Sequence, residues 1–337
     1  RPSMPFQSIN PATEERLQTY PELSPEEALE AARRLSEAFG RWRGIPLSER
    51  RRSFLKISLL LKEGKEGFST LMTVEMGKPI RQAQAEIDKC VWGCEFYADH
   101  AADFLKEEPV ETGAGKSYLR YDPLGVVMAI MPWNFPFWQV FRCAVPAMMA
   151  GNAVLLKHAP NVPGCALAIE SLFHEAGFSD VFKSVFVSTD TAARLIESPW
   201  VQAVSLTGSD RAGSEVAAIA GRALKKTVLE LGGSDPLIVL EDADLTKCLP
   251  VAVRSRMLNA GQSCIAAKRM IVVEKVAERF QKGLIAAIQV QKVGDPLDPA
   301  TEIGPLARKD LLENLIRQVE GSIQKGAVLL TGGRGGP

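Results

Sequence analysis

The sequence predicts an α/β protein whose larger part is a doubly wound domain of parallel strands. The first hundred or so residues are patterned as amphipathic helices, and from Gly125 onward apolar runs of strand length alternate with helical segments. Such alternation is typical of parallel strands joined by crossover helices. The chain has 337 residues, 46% of them apolar and 24% charged, which is enough for two globular domains.

The first helix is marked by a capping signal. In Ser24-Pro25-Glu26-Glu27 the serine stands at the N-cap, the proline at the first helical position and Glu27 at the third. The charged, amphipathic pattern that follows continues to about Gly40. Further helices are predicted from Ser48 to Lys65 and from Lys78 to about Leu105.

The strands of the doubly wound domain are predicted from short apolar runs. They are Val126–Met131, Ala153–Leu156, Val185–Val187, Val204–Leu206 and Leu237–Leu240. Before them, the segment Ser117–Tyr121 alternates polar and apolar residues, which predicts a strand excursion at about residues 115–124.

The composition limits the kind of partner. Forty basic and forty acidic residues give no formal net charge, so we expect a small-molecule partner rather than nucleic acid or a membrane. No apolar run reaches the roughly 18 to 20 residues that a membrane helix requires, and residues 1–5 contain no apolar signal segment. Six cysteines without a CxxC pair predict a reducing, cytoplasmic location, and three histidines outside any ligand motif predict no metal site.

Two segments carry residues suited to covalent chemistry. The hexapeptide Asn259-Ala260-Gly261-Gln262-Ser263-Cys264 places a cysteine in a polar loop, where it is poorly placed for core packing. Glu230 closes the apolar run Thr227-Val228-Leu229, where burying a carboxylate is costly unless it has a task. Together they predict a thiol nucleophile and a general base.

Four motifs in this order resemble the NAD(P)-dependent aldehyde dehydrogenase superfamily. They are Pro132-Trp133-Asn134-Phe135-Pro136, Leu156-Lys157-His158-Ala159-Pro160-Asn161, Glu230-Leu231-Gly232-Gly233 and the loop that ends at Cys264. The resemblance runs from about Ile9 to the C-terminus and is greatest to the bacterial succinate-semialdehyde dehydrogenase branch. It implies the aldehyde dehydrogenase fold, NAD or NADP as cofactor, and oxidation of succinate semialdehyde to the acid.

The resemblance also implies a domain organisation. Residues 1–241 would form the NAD(P)-binding domain, with the strand excursion at about 115–124 belonging to an arm that joins subunits of a homodimer or homotetramer. Residues 242–337 would form the first part of an α/β catalytic domain. The family continues with a Glu-x-Phe-Gly-Pro motif and a final sheet-forming segment, and neither occurs here. The chain is therefore expected to lack the C-terminal part of the family fold.

By this resemblance, three residues carry the catalysis. Cys264 adds to the aldehyde as a thiolate, and the resulting thiohemiacetal can expel hydride to leave a thioester. Glu230 activates the water that hydrolyses the thioester. Its presence favours release of a free acid over transfer to coenzyme A. The side-chain amide of Asn134, with the backbone N–H of the nucleophile, would stabilise the oxyanion.

Cofactor binding is expected at the segment Thr207–Gly213, which follows a predicted strand. Gly208 and Gly213 would let a helix N-terminus approach the pyrophosphate, although the segment contains no G-x-G-x-x-G. Pro160 stands where strictly NAD-using relatives often carry a glutamate, so we expect both NAD and NADP to be accepted. The residues expected to bind the cofactor are Pro132, Trp133, Lys157, Gly208, Ser209, Gly213, Leu231 and Gly232.

The substrate hypothesis depends on Arg142, eight residues after Asn134 on a helix predicted from Pro136 to Ala150. A guanidinium there could bind the distal carboxylate of succinate semialdehyde. Trp133 and Trp138 would line a water-poor channel. A second family arginine is replaced by Leu258, and Arg256, two residues away, is the candidate substitute. Other ω-semialdehyde acids and simple aliphatic or aromatic aldehydes remain alternative substrates, and Arg142 could instead form an ion pair.

Two other classes of function remain open. A cysteine hydrolase could use Cys264 with a carboxylate, but such an enzyme needs no dinucleotide loop and usually requires a histidine or lysine partner. A structural or nucleotide-binding protein derived from a dehydrogenase would have no need to keep Cys264, Glu230 and Asn134 together.

Overall fold

The computed structural model describes residues 6–333, which divide into two compact units. The first unit contains residues 6–8, 17–71 and 84–231, and the second contains residues 9–16, 72–83 and 232–333. The chain thus passes from the first unit to the second for the last time between Leu231 and Gly232. The functional domain boundary predicted after residue 241 stays a prediction.

Four of the eight helices up to residue 222 (α1, α2, α4 and α5) correspond to helices with predicted bounds, whereas α3 was not predicted. The capping box is confirmed, since the Ser24 hydroxyl accepts a bond from the Glu27 N–H and the Glu27 carboxylate accepts one from the Ser24 N–H. The helices are α1 (Pro25–Trp42), α2 (Leu47–Glu63), α3 (Lys65–Met76), α4 (Ile80–Phe104), α5 (Trp138–Met149), α6 (Pro163–Phe173), α7 (Thr189–Glu197) and α8 (Asp210–Arg222).

The strands of the first part of the chain form one large sheet and two small ones. Two-stranded sheets pair β1 with β2 and β3 with β4, the latter antiparallel, and β4 lies within the predicted strand excursion at about residues 115–124. The strands are β1 (Phe6–Ile9), β2 (Arg16–Tyr20), β3 (Glu108–Pro109), β4 (Tyr118–Leu119), β5 (Val126–Met131), β6 (Ala153–His158), β7 (Phe182–Ser184), β8 (Val201–Thr207) and β9 (Lys226–Glu230).

The large sheet is parallel throughout and has the order β7-β6-β5-β8-β9. The chain moves from β5 outward to β7 and then from β8 outward to β9 in the opposite direction. Because crossovers between parallel strands are right-handed, this reversal puts helices on both faces. Helices α5 and α6 pack against β5, β6 and β7, whereas α7 and α8 pack against β8 and β9 and α1 joins α7. The predicted doubly wound fold is confirmed.

One predicted strand is misplaced. The strand expected at Val185–Val187 lies instead at Phe182–Ser184, where the chain pairs with β6 from Val154 to Leu156. After β7 the Phe186 carbonyl accepts a bond from the N–H of Leu23, and its ring contacts those of Phe6 and Tyr20. Val185 still donates its N–H to the Leu156 carbonyl of β6, whereas Phe186 contacts the N-terminal segment.

The predicted strand Leu237–Leu240 does not join the large sheet. It corresponds to β10 (Asp235–Val239), which pairs in parallel with β11 (Ala267–Val272) in the second unit. Two helices, α9 (Leu245–Met257) and α10 (Glu274–Gln289), pack Ala252, Val276 and Phe280 against Val239. The helix α11 (Lys309–Gln324) follows and has no buried residue.

Among the described residues, none of the helices combines the length and the apolar character that a membrane crossing needs.

Candidate active site

The carboxyl ends of the parallel strands gather four of the predicted motifs along one edge of the large sheet. Strand register pairs Met131 with His158, Ile130 with Leu206, and Thr207 with Glu230. The loops that begin at Pro132, Ala159 and Gly208 therefore leave the sheet at the same edge as Glu230. Between β5 and β8 the connections diverge, and such a switch point is where open α/β sheets bind ligands.

The segment after β8 builds a helix N-terminus at this edge. The Ser209 hydroxyl caps α8 by accepting a bond from the N–H of Ala212, and the N–H of Gly208 donates to the Glu230 carbonyl at 2.9 Å. A Cβ on Gly213 would lie 2.5 Å from a methyl carbon of Leu231. Gly213 thus supports the site by letting α8 pack closely on the end of β9. A helix N-terminus placed there suits a phosphate group.

Lys157 lies near the end of β6 and is half-buried. Burial lowers the pKa of its ammonium, and Glu22 opposes that shift. Within residues 6–333 its Nζ makes no hydrogen bond or ion pair. A partly buried cation without a close partner is destabilising by itself and is a good site for an anionic ligand. The donor set at this edge, one ammonium and a helix N-terminus, fits the phosphates of a dinucleotide.

His158 is a residue whose role the sequence did not predict. Its ring is 2% exposed. Nε2 lies 2.8 Å from the Pro136 carbonyl, and Nδ1 accepts a bond from the N–H of Ala159. A second backbone bond, to Met131, involves the same ring. Since Met131 and Pro136 flank the loop that contains Asn134, the imidazole fixes both ends of that loop to β6.

The segment around Asn134 is also fixed at the start of α5. The Glu86 carboxylate, buried on α4, accepts bonds from the N–H groups of Phe137 and Trp138 at 2.9 Å each. This carboxylate satisfies donors at a helix N-terminus that begins without a side-chain cap of its own. The side-chain oxygen of Asn134 accepts a bond from the N–H of Phe135. The other half of the amide carries the donors that an oxyanion would require.

Trp133 and Trp138 are both partly buried. The Trp138 ring packs against α4, where Lys89 Nζ lies 4.3 Å from the ring centroid. A Cβ on Gly93 would lie 3.2 Å from the same ring. The glycine is therefore what allows the indole to lie close to the helix backbone. That Trp133 and Trp138 form walls of a substrate channel stays a prediction.

Arg142 and Glu230 form an ion pair, with Nη2 of the guanidinium 3.0 Å from Oε1 of the carboxylate. Arg142 lies on α5, which is slightly shorter than predicted, and Glu230 ends β9. The carboxylate is 49% exposed, so the expectation that it is buried is wrong. It is exposed because β9 is the last strand of the sheet and presents Lys226, Val228 and Glu230 to one open face. An ion pair this accessible to water contributes only about 0 to 1 kcal/mol to the free energy of unfolding.

In the second unit, the loop before Cys264 has an unusual backbone. Asn259, Ala260 and Gly261 have φ values of 55°, 54° and 77°, a left-handed turn that costs a non-glycine residue about 1 to 2 kcal/mol. Contacts hold the turn in place. The Asn259 N–H donates to the side chain of Gln82 at 2.7 Å, and Gln262 bonds both to the Asn259 carbonyl and to the N–H of Ala307.

The Cys264 backbone is held from two further directions. Lys268 Nζ donates to the carbonyls of Ser263 and Cys264, both at 2.8 Å. A Cβ on Gly233 would lie 3.0 Å from the Cys264 carbonyl oxygen, so the second glycine of the Glu-Leu-Gly-Gly motif permits a close backbone approach. Lys268 lies four residues after Cys264, and no sequence pattern marked its role. The thiol itself is partly exposed.

Arg256 also supports this loop. Its Nη1 lies 3.4 Å from the Gly261 carbonyl, and a Cβ on Gly261 would lie 2.6 Å from the same nitrogen. The guanidinium therefore packs on the left-handed turn. Binding of substrate by Arg256 stays a prediction. Within residues 6–333 no group of three or more His, Cys, Asp or Glu residues is placed to hold a metal ion.

Comparison with known proteins decides the family. Residues 1–337 match the family model described as the aldehyde dehydrogenase family. The chain belongs to the aldehyde dehydrogenase family. The resemblance drawn from its four motifs is confirmed.

Individual relatives within the aldehyde dehydrogenases are similar along almost the whole chain. A Synechocystis protein named as a probable NADP-dependent succinate-semialdehyde dehydrogenase is 49% identical over 332 residues, covering 98% of this chain and 73% of that relative. A crystal structure of succinic semialdehyde dehydrogenase from Streptococcus pyogenes in complex with NADP+ is 36% identical with a TM-score of 0.96, covering 98% of this chain and 73% of that one. A crystal structure of an NAD-dependent aldehyde dehydrogenase from Sinorhizobium meliloti is 32% identical with a TM-score of 0.94, covering 98% of this chain and 67% of that one.

The first prediction concerns acid stability. Burial lowers the pKa of His158 from 6.5 to about 4. Because the folded value lies below the unfolded one, the contribution of neutral His158 is fully present above pH 6.5 and is lost as the pH falls toward 4. Between pH 7 and 4.5 we expect the free energy of unfolding of the wild type to fall about 2 kcal/mol further than that of His158→Gln. Urea unfolding of both proteins at each pH measures this, and parallel pH slopes would refute it.

The second prediction concerns Lys268. Its replacement by Met removes two charge-assisted bonds to the carbonyls of Ser263 and Cys264 and frees the loop. Since such a bond contributes roughly 1.5 kcal/mol, we expect alkylation of Cys264 by iodoacetamide to change by about tenfold. Peptide mapping follows the modified cysteine, with Lys268→Arg as the charge-conserving control. An unchanged alkylation rate in Lys268→Met would show that the lysine does not position the loop.

Proposed function

We propose that this protein oxidises succinate semialdehyde to succinate, with NADP or NAD as the hydride acceptor. The observation that carries the proposal is the pairing of Arg142 with Glu230 at the carboxyl edge of the sheet. It places a guanidinium able to bind a distal carboxylate next to the proposed base. The names of the Synechocystis and Streptococcus relatives support the same substrate. Other ω-semialdehyde acids and simple aldehydes are the alternatives that an aldehyde panel separates.

In the first half-reaction the Cys264 thiolate forms a bond to the aldehyde carbon, and the carbonyl oxygen becomes an oxyanion. The Asn134 amide and the Cys264 backbone N–H would donate to that oxygen. A bound nicotinamide supplies the acceptor for the hydride that leaves the carbon. Re-formation of the carbonyl as hydride departs leaves a succinyl thioester on Cys264.

In the second half-reaction Glu230 accepts a proton from a water molecule, whose oxygen attacks the thioester carbon. The tetrahedral adduct then expels the Cys264 thiolate, and succinate leaves. Glu230 precedes Gly233 by three residues in the chain, and Gly233 packs on the Cys264 carbonyl.

The cofactor proposal follows from the groups at the edge of the sheet. The N-terminus of α8, with Gly208 and Ser209, would bind the pyrophosphate, and Lys157 would bind the ribose hydroxyls or a 2′-phosphate. Pro160 carries no charge that would repel a 2′-phosphate. The relatives include proteins named for NADP and one named for NAD, which supports acceptance of both. The remaining proposed contacts are Pro132, Trp133, Gly213, Leu231 and Gly232, with Gly213 acting through the packing of α8.

Trp133, Trp138 and Arg256 would contribute to the substrate channel. A cytoplasmic location is supported by the cysteines, which form no disulfide within residues 6–333. Assembly into a homodimer or homotetramer through the β3–β4 ribbon is supported by the exposed apolar side chains Tyr118 and Leu119.

The third prediction tests the division of labour between Cys264 and Glu230. Glu230→Gln should transfer hydride normally and then stall, because the water that Glu230 activates is needed only after hydride has left. Stopped-flow absorbance should show a burst of reduced cofactor equal to the enzyme concentration, followed by slow turnover. Cys264→Ala is the control and should show neither phase. Burst and steady state falling together would mean that Glu230 positions substrate or cofactor instead.

The fourth prediction concerns Lys157→Met. Loss of the ammonium should lower kcat/KM for NADP by roughly tenfold or more, because a charged contact contributes about 1.5 to 3 kcal/mol, and should affect NAD less. Burial lowers the pKa of Lys157, so the ammonium is less favourable in the folded than in the unfolded protein. The variant without cofactor should therefore melt at the same temperature or higher. Equal losses for the two cofactors would remove Lys157 from the 2′-phosphate site.

A further inference from the structure

The Arg142–Glu230 ion pair joins two side chains that the proposed function assigns to different partners. Arg142 is to bind the substrate carboxylate, and Glu230 is to accept a proton from water. In the structure Nη2 of Arg142 lies 3.0 Å from Oε1 of Glu230. Within residues 6–333 neither side chain makes any other hydrogen bond or ion pair. Each is therefore engaged by the other before substrate arrives.

The geometry makes this pair easy to exchange. The two side chains are 33% and 49% exposed, so water competes at both ends and the pair is weak. The backbones on either side are fixed, since Arg142 lies within α5 and the Glu230 carbonyl accepts a bond from the N–H of Gly208. Exchange thus requires only side-chain rotation. A substrate carboxylate offers the guanidinium two oxygens in the bidentate geometry that it prefers.

We propose that Arg142 stays paired with Glu230 until the carboxylate of an acidic substrate replaces Glu230 at the guanidinium. Glu230 is then free to accept the proton of the hydrolytic water. The inference rests on the proposed function and extends it, because it places part of the substrate specificity in thioester hydrolysis as well as in binding. A neutral aldehyde can also form the thioester. It leaves Glu230 paired with Arg142, however, so the thioester is hydrolysed slowly.

The test compares succinate semialdehyde with butyraldehyde, an uncharged aldehyde of the same chain length, in wild type, Arg142→Leu and Arg142→Gln. Stopped flow separates the hydride burst from thioester hydrolysis. Arg51→Leu is the matched control, since Arg51 forms a similarly exposed pair with Asp99, at 2.8 Å, on α2 and α4. We expect wild type to show a burst with butyraldehyde and none with succinate semialdehyde.

In Arg142→Leu, the hydrolysis rate with butyraldehyde should rise by up to about fivefold and the burst should shrink, because Glu230 is no longer paired. On succinate semialdehyde the same variant should lose roughly thirtyfold in kcat/KM. Arg51→Leu should match wild type on both substrates. Unchanged or slower hydrolysis with butyraldehyde would overturn the inference, whereas the loss on succinate semialdehyde alone would still support the proposed function.

A second measurement uses the wild type and so does not depend on the folding of a variant. Acetate added to an assay with acetaldehyde can occupy Arg142 while the short aldehyde reacts at Cys264. We expect acetate to raise the rate of thioester hydrolysis in wild type and to have no effect in Arg142→Gln. Inhibition or no effect of acetate on wild type would overturn the inference. Equal losses by Arg142→Leu on the acidic and the neutral aldehyde would instead refute carboxylate binding by Arg142, and with it the proposed substrate.

Discussion

The parallel hydrogen-bonding register of the large sheet is the constraint on which the first unit depends. Five strands in the order β7-β6-β5-β8-β9 direct every carboxyl end to one edge, so motifs far apart in sequence become neighbours. Met131, Thr207 and Glu230 are placed by ladder pairs rather than by their own loops. The strand order reverses between the neighbours β5 and β8, and such a switch point is where open α/β sheets bind ligands. A shift of register by one residue would separate Arg142 from Glu230 and His158 from the Asn134 loop.

The nucleophile loop is held by side-chain hydrogen bonds rather than by strand register. The large-sheet edge is regular, whereas the Cys264 loop is a left-handed turn stabilised by side chains. Asn259 and Ala260 hold unfavourable φ values because Gln82, Gln262 and Lys268 bond the surrounding backbone. Strain of this kind is maintained only where many contacts fix it, and such sites are often functional. The Cys264 carbonyl approaches Gly233 so closely that a Cβ at that position would lie 3.0 Å from its oxygen.

The sequence predicted most of the regular structure because its signals are local. The capping box at Ser24, the helices and the central strands follow from periodicity and turn residues. What it missed depends on partners distant in the chain. Phe186 contacts the N-terminal segment, and β10 pairs with β11 instead of the large sheet. The motifs marked Cys264, Glu230 and Asn134 as site candidates, but the roles of His158 and Lys268 and the partner of Glu230 follow only from three-dimensional contacts.

The most direct test of the account is the identity of the covalent intermediate. Glu230→Gln would be mixed with succinate semialdehyde and NADP, quenched with acid during the slow phase, and mapped by peptide mass spectrometry. The account predicts a succinyl group on the peptide that contains Cys264, in an amount equal to the reduced cofactor formed in the burst. Reduced cofactor without an acylated cysteine, or a succinyl group on another of the six cysteines, would contradict it.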